Sequence, residues 1–341
     1  MRRWILVIVS VTVILCAVGL GAFFLWLGSE LETPYYNAPA SEIYLDINRG
    51  TNTTQIAHLL ADSGILHSRL PFIFYLRYKG TAHRIQAGEY RFSGPATPKE
   101  IAQRLIRGDV YYRSITVPEG LTARETIELL ARNGLGDLPE MQQALLKTEW
   151  IRDLDPAAQN LEGYLFPETY RFGTKADSET VVNTMIGMFR LKIEEILNTY
   201  PLPPGWSVRR IAILASMIEK EVKVIEEGPL VASVLVNRLR KKMPLSCDAT
   251  IIYAMKLAGT YQGNLSRADL RMESPYNTYT RPDLPPGPIS NPGAHSLRAA
   301  LRPAETDYLY YVSRNDGTHQ FSEDLASHNQ AVTRFQKSRS Q

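Results

Sequence analysis

Residues 4–27, opening on Trp4 and closing on Leu27, carry no charged side chain, and no other stretch limits the possible structures of this chain so strongly. A helix of about 20 apolar residues, rising 1.5 Å per residue, crosses the ~30 Å hydrocarbon core of a bilayer. Arg2 and Arg3 precede the run and Glu30 and Glu32 follow it, an asymmetry that predicts a cytoplasmic N-terminus with the rest of the chain on the far side. A cleaved signal peptide is the alternative, but it has a shorter apolar core followed by a small-x-small cleavage site, which is absent here. Leu15 before Cys16 also disfavours lipoprotein processing, which prefers a small residue at that position. The reading is a cytoplasmic tip and single transmembrane anchor over residues 1–30, in lipid through residues 4–27. A proline-punctuated linker over 31–40 follows.

Beyond the anchor the composition is that of an ordinary globular protein, 44% hydrophobic and 21% charged, long enough for two or three domains. A net charge of +3 and the lack of any nucleic-acid-binding signature exclude DNA and RNA as expected partners. Cys16 and Cys247 are the only cysteines, and a structural disulfide between them is not expected. His58, His67, His83, His295, His319 and His328 are scattered without ligand spacing, so neither a metal nor a cofactor is expected.

Residues 41–110 read as a small βα module. Residues 42–47 alternate as a strand, Gly50 turns, and residues 53–61 follow as a Thr-capped helix burying Ile56, Leu59 and Leu60. The strand-turn-helix pattern recurs at Val117-Pro-Glu-Gly120-Leu-Thr122, and more weakly at Thr97-Pro-Lys-Glu100, a capping box with Pro98 at the first helical position. Such units resemble LysM domains, which bind N-acetylglucosamine-containing glycans; a spacer without a ligand is the other reading. The aromatic row Phe72, Phe74, Tyr75 and Tyr78 is expected to form the core of this module.

Residues 111–341 read as a larger α+β domain around the stretch Ile211-Ala-Ile-Leu-Ala-Ser-Met-Ile-Glu219-Lys-Glu221-Val222. Ile211, Leu214, Ala215, Ile218 and Val222 recur at helical spacing, and Ala212, Ser216 and Glu219 form a neighbouring row of small side chains ending on a carboxylate. Another segment or a ligand can therefore approach Glu219. Glu221, two residues on, faces elsewhere, so one acid is expected to be half-buried and the other solvated. A half-buried carboxylic acid titrates in the range useful for general acid chemistry, although spacing alone favours an ordinary helix end with surface acids. Downstream, Leu284-Pro-Pro-Gly287-Pro-Ile-Ser-Asn291-Pro-Gly293 is too stiff and irregular for regular structure, which in a compact domain points to function. An Asn315-Asp-Gly317 turn predicts a β-hairpin, and a final helix spans residues 324–334.

Several motifs then occur in one order: Glu162-Gly-Tyr-Leu-Phe-Pro-Glu168-Thr-Tyr170, Leu214-Ala-Ser-Met-Ile-Glu-Lys-Glu221, Val231-Ala-Ser-Val-Leu-Val-Asn-Arg-Leu239, Asp248-Ala-Thr-Ile-Ile-Tyr253, Tyr276-Asn-Thr-Tyr279, Leu284-Pro-Pro-Gly287 and Ala326-Ser-His-Asn329. In that order they resemble the YceG-like family of endolytic murein transglycosylases. The resemblance implies cleavage of the β-1,4 bond between N-acetylmuramic acid and N-acetylglucosamine inside peptidoglycan strands, leaving 1,6-anhydromuramoyl ends. It places the catalytic acid and base on Glu219. Glu162, Glu168, Ser216, Glu221, Asp248, Asn277, Tyr279, His328 and Asn329 become candidates for lining the cleft. It further implies an inner-membrane protein with a periplasmic catalytic domain, acting on glycan strands beside membrane peptidoglycan synthases. A non-catalytic, glycan-binding cell-wall scaffold is the competing reading.

Overall fold

The structure is a computed structural model that describes residues 2–37, 42–174 and 176–337. It divides into two compact units, Met1–Arg113 and Ser114–Gln341.

In the first unit the apolar run forms one long helix, α1 (Arg2–Glu32), followed by β1 (Ile43–Ile47), α2 (Thr53–Asp62), α3 (Arg69–Tyr78), β2 (Gly88–Phe92) and α4 (Pro98–Arg107). β1 and β2 pair antiparallel, Leu45 opposite Tyr90, and bury alternate residues against the helices. The repeated helix starts have a local cause. Asn52 and Thr97 each accept from the backbone N–H three residues on, while Gln55 and Glu100 reach back to the cap. The first helix is thus capped by Asn52, not by Thr53.

Further expectations fail in this unit, beginning with Leu59, expected in the core but 40% exposed. The stretch after the anchor is not a free linker: α1 continues to Glu32, Tyr35 bridges to Ala96, and the Asn37 N–H donates to Gly64. Residues 38–40 of the expected linker, and Ser41 after it, lie outside the described residues. The aromatic row also divides. Phe72 is fully buried, but Tyr78 is 75% exposed, because α3 presents only one face to the core through Pro71, Phe72 and Leu76.

The second unit is a mixed helix and strand assembly. β3 (Arg113–Thr116) leads to α5 (Ala123–Arg132) and α6 (Leu138–Ala144), β4 (Thr169–Phe172) pairs with β3, and the long α7 (Ser178–Thr199) follows. Next come α8 (Val208–Glu221), α9 (Gly228–Arg240), α10 (Asp248–Leu257) and α11 (Ala294–Leu301). The hairpin β5 (Tyr310–Ser313) and β6 (His319–Ser322) precedes α12 (Leu325–Val332). α8 lies at the centre, packed by α9, α10 and α11, and every residue from Ile211 to Ile218 is buried.

Phe189 of α7 fills the core edge-on to Tyr164, with ring centroids 5.0 Å apart. Phe189→Ala is expected to destabilise this unit by roughly 3–5 kcal/mol in denaturant unfolding, whereas Leu191→Ala on the exposed face of the same helix should change stability by less than about 0.5 kcal/mol.

Candidate active site

Three segments meet at the end of α8. The stiff loop 284–293 runs along the helix and is fixed by polar contacts in an apolar setting. Ser216, fully buried, accepts from the Ile289 N–H (3.0 Å) and donates to Ile213 O, while Ser290 donates to Ser216 O (3.1 Å). Arg209, ion-paired with the buried Asp155 (2.6 Å), also donates to the Pro286 carbonyl. The small row Ala212, Ser216, Glu219 thus receives another segment, as its residue sizes suggested.

Asn291 ties this loop to the rest of the site. Its Oδ1 accepts from the Gly163 and Leu165 N–H groups (3.0 and 3.1 Å), and its Nδ2 donates to Thr126 (3.2 Å). Its backbone exchanges two hydrogen bonds with the 120–121 turn, N–H to Leu121 O and O from Gly120 N–H. Gly163 is required here: its φ is +85°, and a Cβ would lie 2.3 Å from Pro288.

The loop then delivers Gly293, whose N–H donates to Glu219 Oε2 at 2.9 Å. Glu219 is partly exposed, and its Oε1 has no hydrogen-bond partner among the described residues. Beside it lies a second acid, Glu119, so close that a Cβ on Gly293 would sit 1.7 Å from Glu119 Oε1. Partial burial, then the charge of Glu219, push the Glu119 carboxyl above its ordinary range, while His295 and Arg298 pull it back. Glu119 lines a cavity of about 600 Å³, together with Pro167, Glu168, Lys192, His295 and Arg298 among others. The arrangement presents one positioned carboxylate with a free oxygen next to a second of raised proton affinity, the second lining a polar cavity. Among the described residues no group of three or more His, Cys, Asp or Glu side chains converges as a metal-ligand set.

The other expected cleft residues scatter. Glu168 does line the cavity. Glu162 is a buried brace, accepting from the Ala123 N–H at the start of α5 (2.9 Å) and from the Tyr253 hydroxyl (3.2 Å). Asn277 is buried within its own loop, donating to Leu270 and Met272 carbonyls and accepting from Tyr279 N–H. The Tyr279 hydroxyl donates to the exposed Asp248, which opens α10. His328 stacks on Tyr310 of the hairpin (5.1 Å) and Asn329 is exposed on α12. Glu221 corrects the expectation of a solvated second acid. Parts of the residue reach solvent, but its carboxyl turns inward, accepting from the buried Cys247 thiol at 2.8 Å, and burial raises its pKa. The cause is the central position of α8, which leaves its end little free surface.

The YceG-like family profile matches residues 45–334. The chain belongs to the YceG-like family. A relative from Bacillus subtilis (strain 168), named endolytic murein transglycosylase, is 32% identical over 338 residues, 94% of this chain and 92% of that protein. A Streptococcus pneumoniae protein (serotype 2, strain D39) of the same name is 26% identical over 303 residues, covering 80% of this chain and 54% of the relative. Among solved structures, a YceG-like protein from Listeria monocytogenes matches with a TM-score of 0.56 at 29% identity, covering 85% of this chain and 98% of that one.

Two outcomes are expected for this YceG-like site. Asn291→Ala strands two buried N–H groups, each costing about 1–3 kcal/mol. It should lower the unfolding midpoint and activity together, whereas Asn291→Asp, which keeps both acceptor contacts, should lose less. Glu162 titrates near 8 in the fold against an ordinary 4.5, mainly because it is buried. Its neutral form is therefore the one the fold favours: the contribution is complete below pH 4.5 and is lost as pH rises through 8. Thermal stability should accordingly fall as pH rises from 4.5 to 8 and level off above that, and Glu162→Gln should flatten the fall.

Proposed function

We propose that this chain is an endolytic murein transglycosylase with Glu219 as its single acid and base. The observation that carries the proposal is the partly exposed Glu219 carboxylate, one oxygen fixed by Gly293 N–H, next to Glu119, which lines a polar cavity. The names of the relatives point to the same activity.

In the proposed reaction the protonated Glu219 gives its proton to the oxygen linking N-acetylmuramic acid to N-acetylglucosamine, and the anomeric carbon–oxygen bond breaks. The carboxylate then takes the proton from the muramic acid's own 6-hydroxyl as that oxygen bonds to the anomeric carbon. No water is consumed, and one carboxyl group performs both transfers. The Gly293 N–H stabilises the carboxylate that exists between them. Glu168, Lys192, His295 and Arg298 supply donors and acceptors for sugar hydroxyls, acetamido groups or peptide carboxylates at the cavity wall.

Glu119 favours one second reading, a muramidase. Hydrolysis uses two carboxylates, one to protonate the leaving oxygen and one to serve as nucleophile or to activate water, and Glu119 is placed beside the first. Around the site, α1 serves as a single-pass anchor with the catalytic unit outside the cytoplasm, near membrane peptidoglycan synthases. The strand-helix-helix-strand order from β1 to β2 supports a LysM-like, glycan-binding module.

Glycan strands digested in ¹⁸O-water and analysed by mass spectrometry separate these readings. Transglycosylation gives anhydromuramoyl ends without label, and Glu219→Gln should lower the rate by on the order of 10²–10⁴-fold. Labelled reducing ends would establish the muramidase, and a wild-type chain that binds strands without cutting them would establish a scaffold.

A further inference from the structure

α1 and α3 touch within the first unit, and the height at which they touch fixes where the module sits. Trp4 and the large apolar side chains of α1 from Val7 through Trp26 are exposed, but Leu27 is only 2% exposed. The folded module therefore begins where the lipid-facing surface ends. Counting from Trp4, a rise of 1.5 Å per residue brings the chain through about 30 Å, one hydrocarbon thickness, at Phe24. At that level the Phe24 ring meets Phe74 of α3 edge-on, with centroids 6.2 Å apart. Phe74 in turn stacks on Tyr78 at 5.9 Å.

Leu70, Phe74 and Tyr78 lie at four-residue steps and so share one row of α3, the row turned away from Phe72 and Leu76. Leu70 is 59% and Tyr78 75% exposed, a large apolar and aromatic surface for a soluble face. Arg77 and Lys79 are exposed at the same end, with the Lys79 ammonium 5.8 Å from the Tyr78 ring centre. Aromatic rings with flanking cations suit the membrane–water boundary, where the rings enter the acyl edge and the cations meet phosphates. The module is also braced against α1 by Lys99–Glu32 (2.7 Å) and His67–Glu30 (3.4 Å), so it cannot swing away without breaking these pairs.

We propose that the Leu70, Phe74 and Tyr78 row lies in the lipid headgroup boundary beside α1, with Arg77 and Lys79 against lipid phosphates. The bilayer surface is thus a second attachment site of this chain. The proposal rests on α1 being a membrane span. It makes the first unit a foot seated on the membrane instead of a bead on a tether, and it limits how far from the bilayer the chain after residue 113 begins.

The full chain in phosphatidylglycerol-containing nanodiscs tests it. One sample carries an environment-sensitive fluorophore on Cys16, which is exposed in mid-span; another carries it on Tyr78→Cys with Cys16→Ser, Cys16→Ser alone correcting for the buried Cys247. Expected are quenching of the Cys16 probe by lipids with a deep spin label. The probe at position 78 should show blue-shifted emission, quenching by lipids labelled near the headgroup, and protection from aqueous iodide. If the Cys16 probe is quenched from the bilayer centre while the probe at 78 is open to iodide and untouched by labelled lipid, the anchor stands and the seat on the membrane is wrong. A Cys16 probe that no lipid quenches overturns both.

Discussion

Everything at the candidate site depends on how a proline-rich loop satisfies its backbone in an apolar interior. Residues 284–293 can form neither helix nor ladder, yet Ile289, Ser290, Asn291 and Pro292 are buried. Unpaired polar groups there would be costly. Ser216, Ser290, Arg209 and above all Asn291 meet that demand, and in meeting it they hold the loop in one position. The Gly293 N–H that reaches Glu219 is the end point of this network. Positioning the carboxylate and burying the loop are one structural task.

The same logic separates acids that look alike in sequence. Glu219 and Glu221 are two residues apart on α8, but one ends against the Gly293 N–H beside Glu119 and the other against a buried thiol. Glu162 sits in a motif as acidic as that of Glu168, yet braces the start of α5 while Glu168 faces the cavity. Among these acids Glu219, Glu119 and Glu168 retain access to solvent, and the buried Glu162 and the inward-turned carboxyl of Glu221 support the frame. Glu119 also sets a physical question that one glutamate alone would not: a neighbouring carboxyl with raised proton affinity can assist an internal 6-hydroxyl or a water.

Much of the fold was legible because it follows local rules. The apolar run, the capping box at Thr97, the helix led by Thr122 and the Asp-Gly hairpin are each determined by neighbours a few residues away. That another segment can approach Glu219 was legible in the small-residue row that precedes it, while its candidacy as the catalyst came from the ordered motifs. What stayed hidden depends on contacts distant in sequence. Asn291 bonds partners more than 120 residues away. Glu119 had been visible only as part of a turn, and its approach to Gly293 belongs to the folded chain. The inward turn of Glu221 follows from α8 being covered by three helices. In the first unit, helical periodicity could have divided Phe72 from Tyr78, but aromatic content alone suggested one core.

The central claim is that the bond to be broken lies at Glu219 and at no other acid of this chain. A structure of Glu219→Gln with a murein tetrasaccharide addresses it directly. The account predicts the scissile glycosidic oxygen within about 3 Å of the substituted side chain at position 219, a hydrogen-bond distance, with the sugars along the cavity wall at Glu168 and Arg298. A glycan bound with that oxygen against another carboxylate, or seated away from the end of α8, would contradict it.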